Sequence, residues 1–181
     1  RLALEAAAQV RLGDPFDAAT TMGPLNNEAT AAKMDRHVAD ARDRGADVLA
    51  GGLRAAGFPT DLYYEFTVID RVPEDALVAI EESFGPVLPI LSARDDEHAV
   101  AIASMANLGL QAAVFTTSLA RAFWYTDRIR AGTVVINDST DFWETFQPFG
   151  GAAGTESGWG RGTIGDFTDL QTMVVDIGEP G

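Results

Sequence analysis

Residues 111–137 read QAAVFTTSLARAFWYTDRIRAGTVVIN, and their pattern decides the fold. Gln111–Thr116 and Thr133–Asn137 are continuous apolar runs rather than alternating ones, the signature of strands covered on both faces. Between them Ser118 is placed to cap a helix with Leu119, Ala122, Tyr125 and Ile129 inward, and Gly132 precedes the second run. Upstream, Val87–Leu91 leads into a helix opened by Asp95 or Asp96, with Ala99, Ile102, Ala103 and Ala106 on one side. Strand and helix therefore alternate, and each crossover helix must bury its apolar stripe against a sheet. The expected fold is α/β: an open, mostly parallel, doubly wound sheet with helices on both faces. Pro86 and Pro89 mark the Val87–Leu91 strand as unusual, because proline cannot donate to a ladder and is confined to strand starts, edges or bulges.

Working outward toward the N-terminus, Ala31, Met34, Val38 and Ala41 recur at three- and four-residue spacing after Asn27 and stop at Gly45. They predict a surface helix with one buried stripe. Asp47–Ala50 and Phe66–Ile69 are short strands on either side of a Gly- and Pro-punctuated loop. Residues 2–12 predict a helix that ends at Gly13-Asp14-Pro15. Toward the C-terminus, Asp138 to about Phe167 has no hydrophobic period, and its aromatic residues favour a functional loop. Thr172–Ile177 is a β-like run with no strand of its own to pair with. The chain is expected to divide into one domain over residues 1–171 and a terminal strand or tail over 172–181.

Composition narrows the function. The formal net charge of -14 repels phosphate backbones and anionic membrane surfaces, so no nucleic-acid or membrane partner is expected. No run of about 18 apolar residues is present to span a bilayer, and the opening RLALEAAAQVRL lacks the layout of a secretion signal. A cytoplasmic location is the expectation. With no initiator Met, residue 1 is expected not to be the biological start. There is no cysteine, which excludes disulfides, thiolate metal sites and a thiol nucleophile within these residues.

Three features invite a functional reading. Gly160-Arg161-Gly162-Thr163-Ile164-Gly165 fits the G-x-G-x-x-G pattern, but no strand leads into it and no βαβ unit can follow, so it is not read as a dinucleotide loop. His37 and His98 lack metal-ligand spacing and are read as surface histidines without a catalytic role. Glu81-Glu82-Ser83-Phe84-Gly85-Pro86 places two acids before an aromatic, a glycine and a proline at the start of a strand. Taken alone it reads first as a solvated acidic turn. Pro148-Phe149-Gly150-Gly151 is equally ambiguous, since its glycines could simply permit tight turns.

Taken together and in order, the motifs resemble the aldehyde dehydrogenase superfamily across nearly the whole chain. Gly13-Asp14-Pro15 with Gly23-Pro24-Leu25, Gly45-Ala46 with Gly51-Gly52, and Tyr64–Val68 resemble the family's G-D-P…G-P-L, G-A…G-G and Y-x-P-T-V segments, with Phe66 in the proline place. Glu81–Val87 matches E-E-x-F-G-P-V without a gap. Gly109–Thr116 resembles G-L-x-A-x-V-F-T, Gly132–Asn137 resembles G-T-V-x-x-N, and Pro148–Gly151 resembles P-F-G-G, followed by an S-G-x-G-R element at Ser157–Arg161.

The resemblance implies an NAD(P)-dependent oxidation of an aldehyde to a carboxylic acid through a cysteine thiohemiacetal and thioester. The nucleophile, the general base and the Rossmann-like cofactor domain would lie upstream of this sequence, and these residues alone are expected to be inactive. Glu82 would bind the nicotinamide ribose of NAD or NADP, and Phe84 would pack against that end of the cofactor. Phe149 would line the aldehyde tunnel, with Phe142, Trp143 and Phe146 at its mouth by position rather than by motif. Thr172–Ile177 would join a neighbouring subunit's sheet in a homo-oligomer. The same fold also serves acylating aldehyde dehydrogenases and acyl-phosphate reductases, and a non-catalytic α/β assembly module is the reading from another class. Five residues rather than three separate Gly151 from Ser157, the usual lysine in that gap is absent, and Gly162 stands where an acid is common. These departures leave the aldehyde open.

Overall fold

Asn27 starts the longest helix. Its backbone is extended and its side-chain oxygen accepts from the Thr30 N–H at 2.9 Å, satisfying one of the donors that a helix start leaves unpaired. The helix, α2, runs over Glu28–Asp43 and is followed by Gly45 at φ +89°, a left-handed stop that costs glycine nothing. The computed structural model describes residues 1–141, 147, 149–152, 154 and 171–173. They fall in two compact units, Arg1–Asn107 and Leu108–Gly181.

The first unit opens with α1, Leu2–Ala7, which is shorter than the helix expected over residues 2–12. Leu12 instead leaves the helix to bridge Met22 in parallel, and Arg11 accepts backbone bonds from Thr21 and Met22. Strands β1 (Asp47–Ala50), β2 (Thr67–Asp70) and β3 (Val87–Pro89) form one sheet in the order β1-β2-β3. The first pair is antiparallel and the second parallel. The short helix α3, Leu77–Ile80, lies between β2 and β3, and α4, Asp96–Ala103, follows them. Val38, Ala41, Ala46, Ile69, Val72, Ala76 and Val78 form the core, so the α2 stripe read from the sequence is the stripe that is buried.

The prolines of β3 fit because of register. Pro86 accepts from Thr67 N–H, and Ile90 N–H donates to Ile69, so the even-numbered positions of this strand face the ladder. Pro89 lies at an odd position and at the end of the sheet order, where β2 asks for no donor. Thr67, fully buried, ties two distant motifs together. Its hydroxyl accepts from Gly52 N–H at 2.9 Å and donates to the Glu65 carbonyl at 2.8 Å.

In the second unit β4 (Gln111–Val114) and β5 (Thr133–Ile136) are parallel and in register, joined through α5 (Leu119–Thr126). The Ser118 hydroxyl accepts from Arg121 N–H, as its place before the helix predicts. Ala122 is buried, but Leu119, expected inward, is exposed because it sits in the first turn. Asn137 takes the left-handed conformation at φ +60° and clamps the two strand ends. Its side chain accepts from Thr116 N–H at 2.7 Å and donates to the Thr116 carbonyl at 2.9 Å, a substitute for one more rung of the ladder. Among the described residues no helix is long and apolar enough to cross a membrane.

Candidate functional site

The Glu81–Pro86 segment connects α3 to β3, and α2 holds it at successive levels. Lys33 Nζ donates to the Glu82 carbonyl at 3.1 Å. One turn later, His37 Nδ1 lies 2.9 Å from Ser83 Oγ and Nε2 lies 3.1 Å from Glu81 Oε2. Asp40 then accepts from Leu77 N–H at 2.8 Å, capping α3 from the side. Positions 33, 37 and 40 share one helical face, so a single ridge of α2 grips the chain from the start of α3 to the loop beyond it. Gly85 completes the fit, because a Cβ there would enter the thioether of buried Met34.

His37 is therefore not the surface residue expected from the sequence. It is fully buried, and its ring has partners on both nitrogens. The carboxylate of Glu81 can only accept, so Nε2 carries a proton and donates to it, while Nδ1 shares a hydrogen bond with the Ser83 hydroxyl. The hydrogen bond from His37 holds the Glu81 carboxyl below its ordinary value. His98 is also buried: Nε2 meets Glu74 at 2.8 Å and Nδ1 accepts from Arg94 N–H. Both histidines were misread for the same reason. Their side-chain partners Ser83, Glu81 and Glu74 lie 24 to 46 residues away in sequence, and only folding supplies them. The readable signal for His37 was its place three residues after Met34, on the buried stripe itself.

Between the two anchored residues Glu81 and Ser83, Glu82 is exposed, and among the described residues no group engages its carboxylate. Phe84 is 75% exposed and sits at φ +53°. A bulky side chain in the left-handed region costs roughly 1–3 kcal/mol and persists where its surroundings over-determine it. Phe84 and Pro86 also border an open cleft of about 380 Å³, whose other wall includes Gly23, Pro24 and Leu25. Two motifs some sixty positions apart thus meet at one surface.

In the second unit Phe149 is 44% exposed. The residues after it are fixed by backbone: Ala152 N–H donates to the Gly109 carbonyl at 2.9 Å, and Gly132 N–H donates to the same oxygen at 2.8 Å. Gln147 Nε2 reaches Thr133 Oγ1 at 3.2 Å. Phe142, Trp143 and Phe146 lie outside the described residues, as do Gly160–Gly165, Ser157–Arg161 and the terminal run beyond Met173. Among the described residues no cluster of His, Asp or Glu could hold a metal ion.

The architecture is α/β, with the parallel pairs β2–β3 and β4–β5 joined through helices. The chain belongs to the aldehyde dehydrogenase family, whose model matches residues 1–174. Betaine aldehyde dehydrogenase of Brucella anthropi is 34% identical over 182 residues, which cover 97% of this chain and 37% of that protein. Succinate-semialdehyde dehydrogenase from Burkholderia pseudomallei superposes with a TM-score of 0.81 at 34% identity, covering 89% of this chain and 32% of that one. A betaine aldehyde dehydrogenase point mutant from Staphylococcus aureus, solved in complex with NAD+, gives a TM-score of 0.76 at 30% identity over 87% of this chain and 32% of its own. The chain thus spans just over a third of the length of the curated relative cited here.

Proposed function

We propose that these residues supply the ribose-binding and tunnel-lining parts of an NAD(P)-dependent aldehyde dehydrogenase that oxidises an aldehyde to a carboxylic acid. The carrying observation is the Glu82–Phe84 presentation: an exposed carboxylate that no described residue engages and an exposed ring, on a loop whose flanks are fastened to α2. An ionised carboxylate offers two acceptor oxygens to the adjacent hydroxyls of a ribose, so the residues present fit a nicotinamide nucleotide. Phe84 offers a flat apolar surface to the same end of it. When bound, the nicotinamide supplies the hydride acceptor.

Phe149 is proposed to wall the aldehyde path, where an apolar lining excludes water and orients the carbonyl carbon. Phe142, Trp143 and Phe146 are proposed for the mouth of the same path. The attacking thiolate and the base that activates water must come from residues outside this sequence, which contains no cysteine. The test is cofactor reduction by the full-length protein with NAD and with NADP over a panel including betaine aldehyde, lactaldehyde and succinate semialdehyde. Reduction with at least one pair is expected, and none from the 181 residues alone. A full-length protein that keeps its cysteine and reduces neither cofactor with any aldehyde refutes the reading.

Residues 172–181 are proposed to add a strand to a neighbouring subunit, since a β-branched run left as a free edge invites uncontrolled pairing. Sedimentation velocity at micromolar concentration should then show a dimer or tetramer, and a monomer there would remove the proposal.

A further inference from the structure

The groups around Glu82 divide into those that could touch a ligand and those that cannot. His37 is fully buried and faces the loop, while Glu82 and Phe84 face solvent. Yet His37 bonds the side chains of residues 81 and 83, one on each side of Glu82. The next residue, Phe84, is one of three described non-glycine residues at positive φ. Such a conformation reverts to commoner backbone geometry unless its neighbours hold it.

We propose that His37 is a positioning residue for cofactor binding, holding the Glu81–Gly85 segment in the one conformation that presents the Glu82 carboxylate and the Phe84 ring together. It acts through residues 81 and 83 and contacts no ligand. The tether has two arms: Nε2–H donates to the Glu81 carboxylate, and Nδ1 is hydrogen-bonded to the Ser83 hydroxyl. A residue with one polar arm could fix one side of Glu82 and leave the other free to turn. Imidazole spans both because its nitrogens lie on opposite flanks of a rigid ring. The burial of the ring removes competing water, so each arm is worth more than its exposed equivalent. The role rests on the assignment of Glu82 to the nicotinamide ribose.

The test uses the full-length protein in three variants: His37→Leu, which removes both arms at similar volume; His37→Gln, which can restore one; and Ser83→Ala, which removes one from the loop side. Two readouts are needed, amide hydrogen exchange of residues 82–85 without cofactor, and the dissociation constant of NAD or NADP beside kcat and the aldehyde KM. With His37→Leu, exchange should accelerate and cofactor binding weaken by about tenfold or more, as expected for two lost hydrogen bonds. The aldehyde KM and kcat at saturating cofactor should stay within about twofold. His37→Gln and Ser83→Ala should fall between this and the parent, and Ser83→Ala carries the test if His37→Leu does not fold.

Unaltered exchange of residues 82–85 in a folded variant overturns the tether. Faster exchange with unaltered cofactor affinity overturns the positioning role when Glu82→Gln still weakens binding. If Glu82→Gln itself leaves cofactor affinity unchanged, the ribose assignment fails instead, and the exchange data then decide the tether on their own.

Discussion

Replacing Gly132 by alanine is expected to lower kcat/KM for the aldehyde by about tenfold or more, through displacement of catalytic geometry, while leaving the cofactor dissociation constant within about twofold. A Cβ on Gly132 would lie inside the Gly150 carbonyl group, 2.8 Å from its carbon, and 3.0 Å from Gly151 Cα. These are backbone atoms, so no rotamer change can relieve the clash. Either β5 shifts at its first residue or the Gly150-Gly151 segment moves away and carries Phe149 with it. The shared acceptor makes the second course costly too, because Gly132 and Ala152 both donate to the Gly109 carbonyl. A loss of stability of about 1–3 kcal/mol, the usual cost of overpacking, should accompany the change. Thermal unfolding and steady-state kinetics on the full-length variant would check both, and parental aldehyde kinetics in Gly132→Ala would show that the Phe149 segment has no part in the substrate path.

The second large effect is expected from Glu82→Gln. Glutamine keeps the length of the side chain but replaces one acceptor oxygen with a donor and removes the charge. A hydrogen bond to a charged group contributes about 1.5–3 kcal/mol, so the cofactor dissociation constant should rise roughly 10- to 100-fold. Stability should change by less than about 0.5 kcal/mol, as for other exposed positions without structural partners. Titration of the full-length variant with NAD and NADP measures the first, and unfolding the second. Unchanged affinity for both cofactors would remove Glu82 from the ribose site.

The contrast between these two residues shows what can be read from a sequence. The motif around Glu82 was legible because six fixed positions stand within one run of seven, and the α2 stripe was legible because helical spacing is a local property. The Asn27 helix start and the Ser118 cap, likewise, need only a polar residue at the right offset. The contact between Gly132 and Gly150 was not legible, since it joins segments 18 positions apart through backbone that leaves no side-chain pattern. The same holds for His37. Its stripe was visible, but its partners are 44 and 46 residues away, and a histidine amid apolar neighbours gives no sign of what it bonds. The early end of α1 also depended on a non-local event, the pairing of Leu12 with Met22.

The grip of α2 on residues 77–83 has a consequence for how this chain can vary in length. Lys33, His37 and Asp40 meet Glu82, Ser83 with Glu81, and Leu77 in reverse order along the chain, so the helix and its partner segment run past each other like two scales in register. Removing one residue between 33 and 40 turns the later contacts by about 100° and shifts them by about 1.5 Å, which no side-chain adjustment recovers at three points together. A substitution along α2 loosens one level of these contacts at a time, whereas an insertion or deletion displaces several together. Length change has room instead at the loop around Gly57, where an added Cβ would meet open space.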